Sequence, residues 1–299
     1  MDENGAINRC CEPQIKLAGS HQYKFPIQDE KLSCYDDAEK NLRCKLASLY
    51  RLVDFHRWTH SIYNHITARV SEDDEHFLIN PFGLYYYEIT GSSLVKIDIN
   101  GDTLDSGSTD YGVNKAGWTL HSAVHAARPD IHCVIHLHTP AGAAVSCMKC
   151  GLLRCCQESL IIGEVAYHPY SGILVDEKER QLIAKNLGKS TKIMILHNHG
   201  LVVCGETVEE AYYLLVNLMA AMETQVRLMS CGGLDNMILM DEDMVQKVRS
   251  VAGLGGGGVS KDSTEWKFGQ LEYEAAMRML DNMGLKTGYP YKKAIKSKQ

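Results

Sequence analysis

Apolar positions along the chain change between two spacings, one typical of helices and one typical of strands. Leu42, Leu46, Leu49 and Val53 are three or four residues apart, which predicts a helix with one buried face. Residues 131–138 instead alternate strictly, which predicts a strand. Further helices are predicted at 117–127, 176–187, 207–226 and 272–283, and further strands at 77–79, 95–99, 192–196 and 201–204. This mixture of elements predicts a layered α/β domain.

Breaks in this pattern divide the chain into four parts. Residues 1–34 show no sustained period, which predicts a mobile N-terminal arm. Residues 35–235 hold nearly all the predicted helices and strands and form the main domain. Residues 236–264 include a run of glycines at 255–258, which predicts a flexible linker. Residues 265–299 hold the last predicted helix, a turn-rich stretch and several lysines.

Composition excludes several classes of function. The chain has 299 residues, of which 45% are hydrophobic, enough for one large core. Its formal net charge is −6, so we expect no nucleic-acid partner. No stretch reaches the ~18 apolar residues of a membrane span, and the first residues lack the apolar core of a signal peptide. We therefore expect no transmembrane segment and a cytoplasmic chain whose 11 cysteines are reduced.

Three histidines are the clearest candidate metal ligands. His136 and His138 are two residues apart on a predicted strand, so both rings project from the same face. His199 lies in a predicted turn beside Gly200, where the backbone allows close approach. Imidazole nitrogens bind zinc, and an open zinc site uses three protein ligands. A His-x-His pair alone is a weak signal, because most strand histidines have structural roles.

The sequence around these histidines resembles the class II aldolase/adducin family. Residues 120–130, which end in Arg-Pro-Asp, and residues 134–138 match the core signature of class II aldolases. Residues 63–69 and 81–83 resemble the two phosphate loops of the family. The resemblance, which runs from about residue 42 to residue 231, implies a three-layer α/β/α fold with a mostly antiparallel central sheet. It also implies zinc as the cofactor, held by His136, His138 and His199, and tetramers with the metal near a subunit interface.

The residues that would make such a site catalytic depart from the family pattern. The family places its general acid/base glutamate four residues before His121, where this chain has Gly117. Lys115 and Ala116 stand where the family has two phosphate-binding serines, and Tyr63 replaces the glycine of the first phosphate loop. Glycine has no titratable group and alanine has no hydroxyl. The resemblance therefore implies a pseudo-enzyme.

What remains of the site is interpreted as the remnant of a ligand pocket, without a catalytic residue. Its members are Asn64, Gly83, Gly117 and His121. A replacement base is an open alternative, and the candidates for it are Glu164, Asp110 and His121.

Other segments resemble the adducin branch of the family. They comprise residues 44–47, 92–97, 138–146 and 148–153, and the stretch 277–291 resembles the start of an adducin neck. This resemblance implies a non-catalytic scaffold of the actin/spectrin membrane skeleton that acts through oligomerisation of its head domain. The expected partners are adducin-like chains, actin and spectrin, and the expected location is the cytoskeleton at the plasma membrane.

The resemblance leaves two further expectations. The chain is expected to stop near the beginning of the neck, without the lysine-rich terminal segment of adducins. The alternative function is that of a zinc-dependent class II aldolase or epimerase acting on a sugar phosphate.

Overall fold

The computed structural model describes residues 25–71, 75–169, 177–252 and 266–293. Most of the predicted N-terminal arm, the glycine run at 255–258 and the last lysines of the chain lie outside these residues.

One eight-stranded sheet forms the centre of the described fold, in the order β4-β3-β2-β1-β5-β8-β7-β6. All neighbouring strands are antiparallel except β6 and β7, which are parallel. The strands are β1 His65–Arg69, β2 His76–Ile79, β3 Val95–Asp98, β4 Thr103–Asp105, β5 Cys133–Leu137, β6 Val165–His168, β7 Ile193–Leu196 and β8 Gly200–Gly205. The predicted, mostly antiparallel sheet is confirmed.

Helices cover both faces of the sheet. Successive side chains of a β-strand point to opposite faces, so one strand contributes to a core on each side. Cys133 and Ile135 of β5 belong to the larger core, whereas Val134 belongs to a second core on the other face. The helices are α1 Asp37–Phe55, α2 Lys115–Ala127, α3 Pro140–Ser146, α4 Glu158–Ile161, α5 Glu177–Leu187, α6 Val208–Met229, α7 Glu242–Ala252 and α8 Gln270–Asn282. Helices α1, α6 and α8 supply the larger core, and α2 and α5 the second. The three-layer α/β/α fold is therefore as predicted.

Local capping explains where the two longest helices begin. The Asp36 carboxylate accepts a hydrogen bond from the Glu39 backbone N–H at 2.9 Å at the start of α1. The Thr207 hydroxyl oxygen accepts from the Glu210 N–H at 3.1 Å at the start of α6. Each cap satisfies an N–H group that has no partner inside its helix.

The ends of the main domain differ from the predicted boundaries. Ile27, placed by the sequence in a mobile arm, is fully buried, and its N–H donates to the Leu285 carbonyl at 2.8 Å. The Gln28 N–H donates to the Lys286 carbonyl at 2.9 Å, so residues 25–34 pack against the segment after α8. Helix α7 lies inside the range predicted as a linker. It escaped sequence reading because it buries only Val245.

The segment predicted as the start of a neck packs on the main domain. Met277 and Leu280 of α8 are fully buried in the larger core. The Tyr273 hydroxyl donates to the Lys45 carbonyl of α1 at 2.6 Å. Among the described residues, no helix combines the length and apolar character needed to cross a membrane.

Candidate functional site

Strand pairing brings the three candidate ligands together. His136 lies on β5, and His138 follows the last residue of that strand. Antiparallel pairing of β5 with β8 places Leu137 opposite Leu201, so the turn before β8 meets the end of β5. His199 lies in this turn, next to Asn198, whose φ of 54° belongs to the left-handed region. One nitrogen from each of the three histidines lies within 4.8 Å of the other two.

The hydrogen bond between His136 Nδ1 and a backbone carbonyl leaves His136 Nε2 able to bind a cation. Its Nδ1 lies 3.0 Å from the Leu201 carbonyl oxygen, which can only accept, so a neutral His136 carries its proton on Nδ1. A backbone carbonyl in this position is the usual orienting partner of a metal-binding imidazole. His136 Nε2 and His138 Nε2 are 2.8 Å apart. Two nitrogens bound to tetrahedral zinc would be about 3.3 Å apart, which is slightly more than this distance.

Burial favours the neutral, metal-binding form of these imidazoles. Burial lowers the pKa of His136 well below its usual range and lowers that of His138, and neighbouring histidines add to both shifts. Burial and the nearby His138 also lower the pKa of His199 to about 4. A protonated imidazole has no lone pair for a metal, so the neutral state is the competent one. The residues present therefore fit zinc in donor type, spacing and protonation.

A second group of histidines forms a buried hydrogen-bonded chain beside this cluster. His65 Nδ1 lies 2.7 Å from His121 Nε2, and His121 Nδ1 lies 2.7 Å from the Thr67 hydroxyl. The same hydroxyl lies 2.9 Å from His125 Nε2, and His125 Nδ1 lies 3.1 Å from the Ile131 carbonyl oxygen. Helix α2 supplies His121 and His125, and strand β1 supplies His65 and Thr67.

The carbonyl at one end fixes the direction of every hydrogen bond in this chain. His125 donates to the Ile131 carbonyl, so its Nε2 accepts from the Thr67 hydroxyl. Thr67 then accepts from His121 Nδ1, and His121 Nε2 accepts from His65 Nδ1. Neutral rings satisfy this pattern throughout. Burial supports it, because it lowers the pKa of both His65 and His125 to about 3.

His65 occupies the space next to Gly117. A Cβ added to Gly117 would stand 2.2 Å from His65 Nε2 and 2.3 Å from His65 Cδ2. A glutamate at position 117 therefore has no room while His65 holds its present rotamer. Both residues line a cavity of about 410 Å³ that also includes His136, His138 and His199.

The other predicted pocket residues are placed differently. The Asn64 side chain is buried and its oxygen accepts from the His60 N–H at 2.9 Å, so it shapes the turn before β1 rather than the cavity wall. Gly83 has a φ of +134°, and a Cβ there would meet the Tyr111 ring at 2.9 Å. His121 lies behind His65 in the buried chain. Of the predicted remnant, only Gly117 lines the histidine cavity.

The candidate replacement carboxylates lie elsewhere. Glu164 is exposed and pairs with Arg249 of α7 at 2.6 Å. Asp110 lines a separate cavity of about 440 Å³. Sequence reasoning instead missed His60 and His65, which do line the histidine cavity. Pairing between β1 and β5 places His65 opposite His136. His65 could therefore have been predicted only if β1 had been recognised as a strand.

The chain is similar in sequence to class II aldolases and adducins. Residues 44–226 match the family described as Class II Aldolase and Adducin N-terminal domain. The chain is 56% identical over 271 residues to alpha-adducin of Rattus norvegicus, covering 89% of this chain and 37% of that protein. It is 47% identical over 276 residues to gamma-adducin of Homo sapiens, covering 89% of this chain and 39% of that protein. The chain thus spans about two fifths of the length of these curated relatives.

Solved structures agree with the fold. An aldolase II superfamily protein from Pseudomonas syringae is 40% identical with a TM-score of 0.76, and the match covers 85% of this chain and 98% of that one. L-fuculose 1-phosphate aldolase from Glaciozyma antarctica PI12 is 25% identical with a TM-score of 0.68, over 88% of this chain and 97% of that one. The chain therefore belongs to the class II aldolase/adducin family, in which its described residues form an adducin-like head domain.

Proposed function

We propose that this chain is a non-catalytic, adducin-like scaffold that acts through oligomerisation of its head domain. The observation that carries the proposal is the position of His65, whose ring fills the space beside Gly117. The family reaction needs a proton to be removed next to a carbonyl and later returned. A general acid or base contributes roughly 10² to 10⁴ in rate, and position 117 offers neither that group nor the room for one.

Substrate anchoring is also reduced. Ala116 lines the histidine cavity where the family has a phosphate-binding serine, and it supplies no hydroxyl. Tyr63 lies at the mouth of the same cavity, with 55% of its surface exposed. Proper positioning of a substrate accounts for a large share of enzymatic rate enhancement. Defects in chemistry and in positioning raise the barrier through separate contributions, so their effects on the rate multiply.

An aromatic surface beside the cavity supports the proposed oligomerisation. Tyr63, Phe82 and Tyr111 are 55%, 37% and 50% exposed, and the Tyr63 and Phe82 ring centroids are 6.4 Å apart. We name this group the aromatic surface. Exposed aromatic side chains are enriched at protein interfaces because they bury a large apolar area. The family places its metal near a subunit interface, which agrees with a surface at this cavity.

The proposed partners follow from similarity to the adducins. We propose homo- or hetero-oligomers with adducin-like chains, and association with actin and spectrin in the cytoskeleton at the plasma membrane. The test is sedimentation of the purified chain with filamentous actin, with and without spectrin. Spectrin-dependent sedimentation supports the partner assignment. A chain that stays in the supernatant under all conditions removes actin and spectrin as partners of this chain.

Zinc is proposed as a bound ion at the three histidines. His136, His138 and His199 would hold it through one nitrogen each, and the ion would supply a positively charged centre joining the end of β5 to the turn before β8. The hydrogen-bonded group of His65, Thr67, His121 and His125 lies beside this site, and neutral rings satisfy all of its hydrogen bonds. In a non-catalytic protein this cluster acts as a structural link between two strands.

The alternative function is a zinc-dependent aldolase or epimerase acting on a sugar phosphate. The specific observation in its favour is that all three candidate ligands lie together in one cavity of the described fold. The two proposals separate in a retro-aldol assay with a His138→Ala control. Turnover that depends on His138 favours the enzyme, whereas its absence in zinc-loaded protein favours the scaffold.

A further inference from the structure

A second cavity, of about 1040 Å³, lies at the opposite end of β5 from the three histidines. His132, just before β5, lines this cavity, whereas His136 of the same strand lines the histidine cavity. At about 3.3 Å per residue, the two positions are about 13 Å apart along the strand. The cavity also receives Thr207, at the start of α6, and Lys267, just before α8.

Arg69 is a buried cation in the wall of this cavity. It is the last residue of β1 and only 8% of its surface is exposed. One terminal nitrogen donates to the His125 carbonyl at 2.8 Å, and the guanidinium lies 4.8 Å from the centre of the Phe77 ring. Its Nε is buried without a hydrogen-bond partner. A buried guanidinium normally pairs with an anion, because removal from water otherwise costs free energy.

The carboxylates that line the cavity already have partners. Asp130 holds Arg128 through two hydrogen bonds of 2.8 and 2.6 Å. Glu206 and Glu210 share Lys192 at 2.8 and 2.6 Å. Within the described part of the chain, Arg69 forms no ion pair, although Glu75 acts on it from a greater distance.

Other residues that line the cavity supply a second cation and a hydroxyl donor. The Lys267 ammonium group has no ion pair with any described residue. Phe268 beside it packs on Tyr213 of α6, with ring centroids 4.9 Å apart, which holds this segment against α6. The Thr207 oxygen accepts from the Glu210 N–H, so its own hydrogen remains available to a ligand. The start of α6 also carries the positive end of the helix dipole.

We propose that this cavity binds a small phosphate-bearing molecule, with its phosphate between Arg69 and Lys267. An oxyanion would give the buried guanidinium the charged hydrogen-bond partner that the described residues lack, and guanidinium geometry suits phosphate oxygens. The volume exceeds that of phosphate alone. The remaining space, lined by Asp130, Glu206 and Phe268, would receive the hydroxyl-bearing or apolar remainder of the ligand.

This cavity differs from the phosphate loops suggested by the sequence. Those segments, at 63–69 and 81–83, resemble the two phosphate loops of the family. Arg69 is the last residue of the first segment and lies at the opposite end of β1 from His65. Arg69 lines the second cavity, whereas His65 lines the histidine cavity. Binding of phosphate at Arg69 would therefore leave the zinc cluster untouched.

The experiment is an isothermal titration of the full 299-residue chain with inorganic phosphate in chloride buffer, with binding measured by calorimetry. Saturable binding is expected, and Lys267→Met should weaken it about tenfold, as expected for one charge-assisted hydrogen bond. Arg69→Lys keeps the charge but loses the forked donor, and should weaken binding by a similar factor. Lys149→Met, which removes an exposed lysine away from the cavity, is the matched control and should bind as the wild type does.

Two outcomes would overturn the proposal. One is the absence of saturable phosphate binding by the wild-type chain. The other is equal affinity in Lys267→Met, Arg69→Lys and the Lys149→Met control, which would show non-specific attraction. Circular dichroism of each variant separates a lost site from a lost fold, and Lys267→Met, at an exposed position, provides the decisive comparison if Arg69→Lys unfolds.

Discussion

The ring of His65 lies where a side chain at position 117 would begin, since a Cβ on Gly117 would stand 2.2 Å from His65 Nε2. Gly117 is in the first turn of α2, and its φ is outside the left-handed region, so crowding rather than backbone strain requires glycine here. The two positions are therefore coupled. Glycine at position 117 leaves room for the His65 ring, and that ring leaves no room for a larger side chain at position 117.

This coupling predicts that Gly117→Ala lowers the free energy of unfolding by about 1–3 kcal/mol through overpacking. The loss should shrink in a His65→Ala background, where the space is open. Gly112→Ala is the control, because a Cβ there meets nothing within 4 Å. Urea unfolding of the four glycine and histidine combinations measures the coupling, and equal losses in both backgrounds would contradict it.

Zinc binding is predicted to depend on His136 and His199. The wild-type chain should bind one equivalent of zinc and show a higher thermal midpoint with zinc than with a chelator, because a ligand that binds only the folded state stabilises it. His136→Ala and His199→Ala should each lose stoichiometric zinc in elemental analysis. His76→Ala on β2 is the control. Unchanged zinc content in His136→Ala would remove the site.

Stability is predicted to fall in mild acid because of the buried histidine chain. The pKa of His125 is lowered to about 3 by burial, compared with about 6.5 for an unfolded chain. The unfolded state therefore binds more protons between these values. The contribution is complete above pH 6.5 and is lost as the pH falls toward 3, at about 1.4 kcal/mol per pH unit for such a histidine.

His125→Gln tests this assignment, because glutamine retains hydrogen-bonding groups but does not titrate. Its unfolding free energy should change less steeply between pH 6.5 and pH 4.5 than that of the wild type. Urea unfolding in the presence of a chelator provides the measurement. Identical slopes for the two proteins would show that His125 does not contribute to acid sensitivity.

The aromatic surface is predicted to mediate self-association. Tyr63→Ser and Phe82→Ser should shift the chain toward its 33.4 kDa monomer in sedimentation velocity at micromolar concentration. Leu104→Ser is the matched control, since Leu104 on β4 is 51% exposed but lies outside this surface. A wild type that is already monomeric, or a Leu104→Ser protein that dissociates equally, would argue against this surface.

Much of the fold could be predicted from the spacing of apolar residues. The apolar positions predicted to face the core of the long helices are buried, as at Leu215 and Leu218 of α6, and the alternation around Cys133 marks β5. Strand β1 was not predicted, because its segment is short and only Ile66 and Ala68 mark its apolar face, although all five of its residues are buried. Strand β4 is short and mostly exposed, so its sequence carries little signal.

The site was harder to predict than the fold. His136, His138 and His199 could be proposed because two share a strand face and the third follows a turn. Placing His65 against Gly117 requires the register between β1 and β5, which comes from long-range pairing. The cavity at Arg69 is lined by residues from five separate chain segments, so no local sequence motif indicates it.

The proposed scaffold function predicts no aldolase turnover, and a coupled retro-aldol assay measures this most directly. Fuculose, ribulose and rhamnulose phosphates are the substrates, and the proteins are zinc-loaded wild type, Gly117→Glu and His138→Ala. We expect no useful turnover by the wild type, and little recovery in Gly117→Glu because His65 occupies the required space and Ala116 provides no anchor. Robust turnover by the wild type that disappears in His138→Ala would contradict the scaffold account and establish the enzyme.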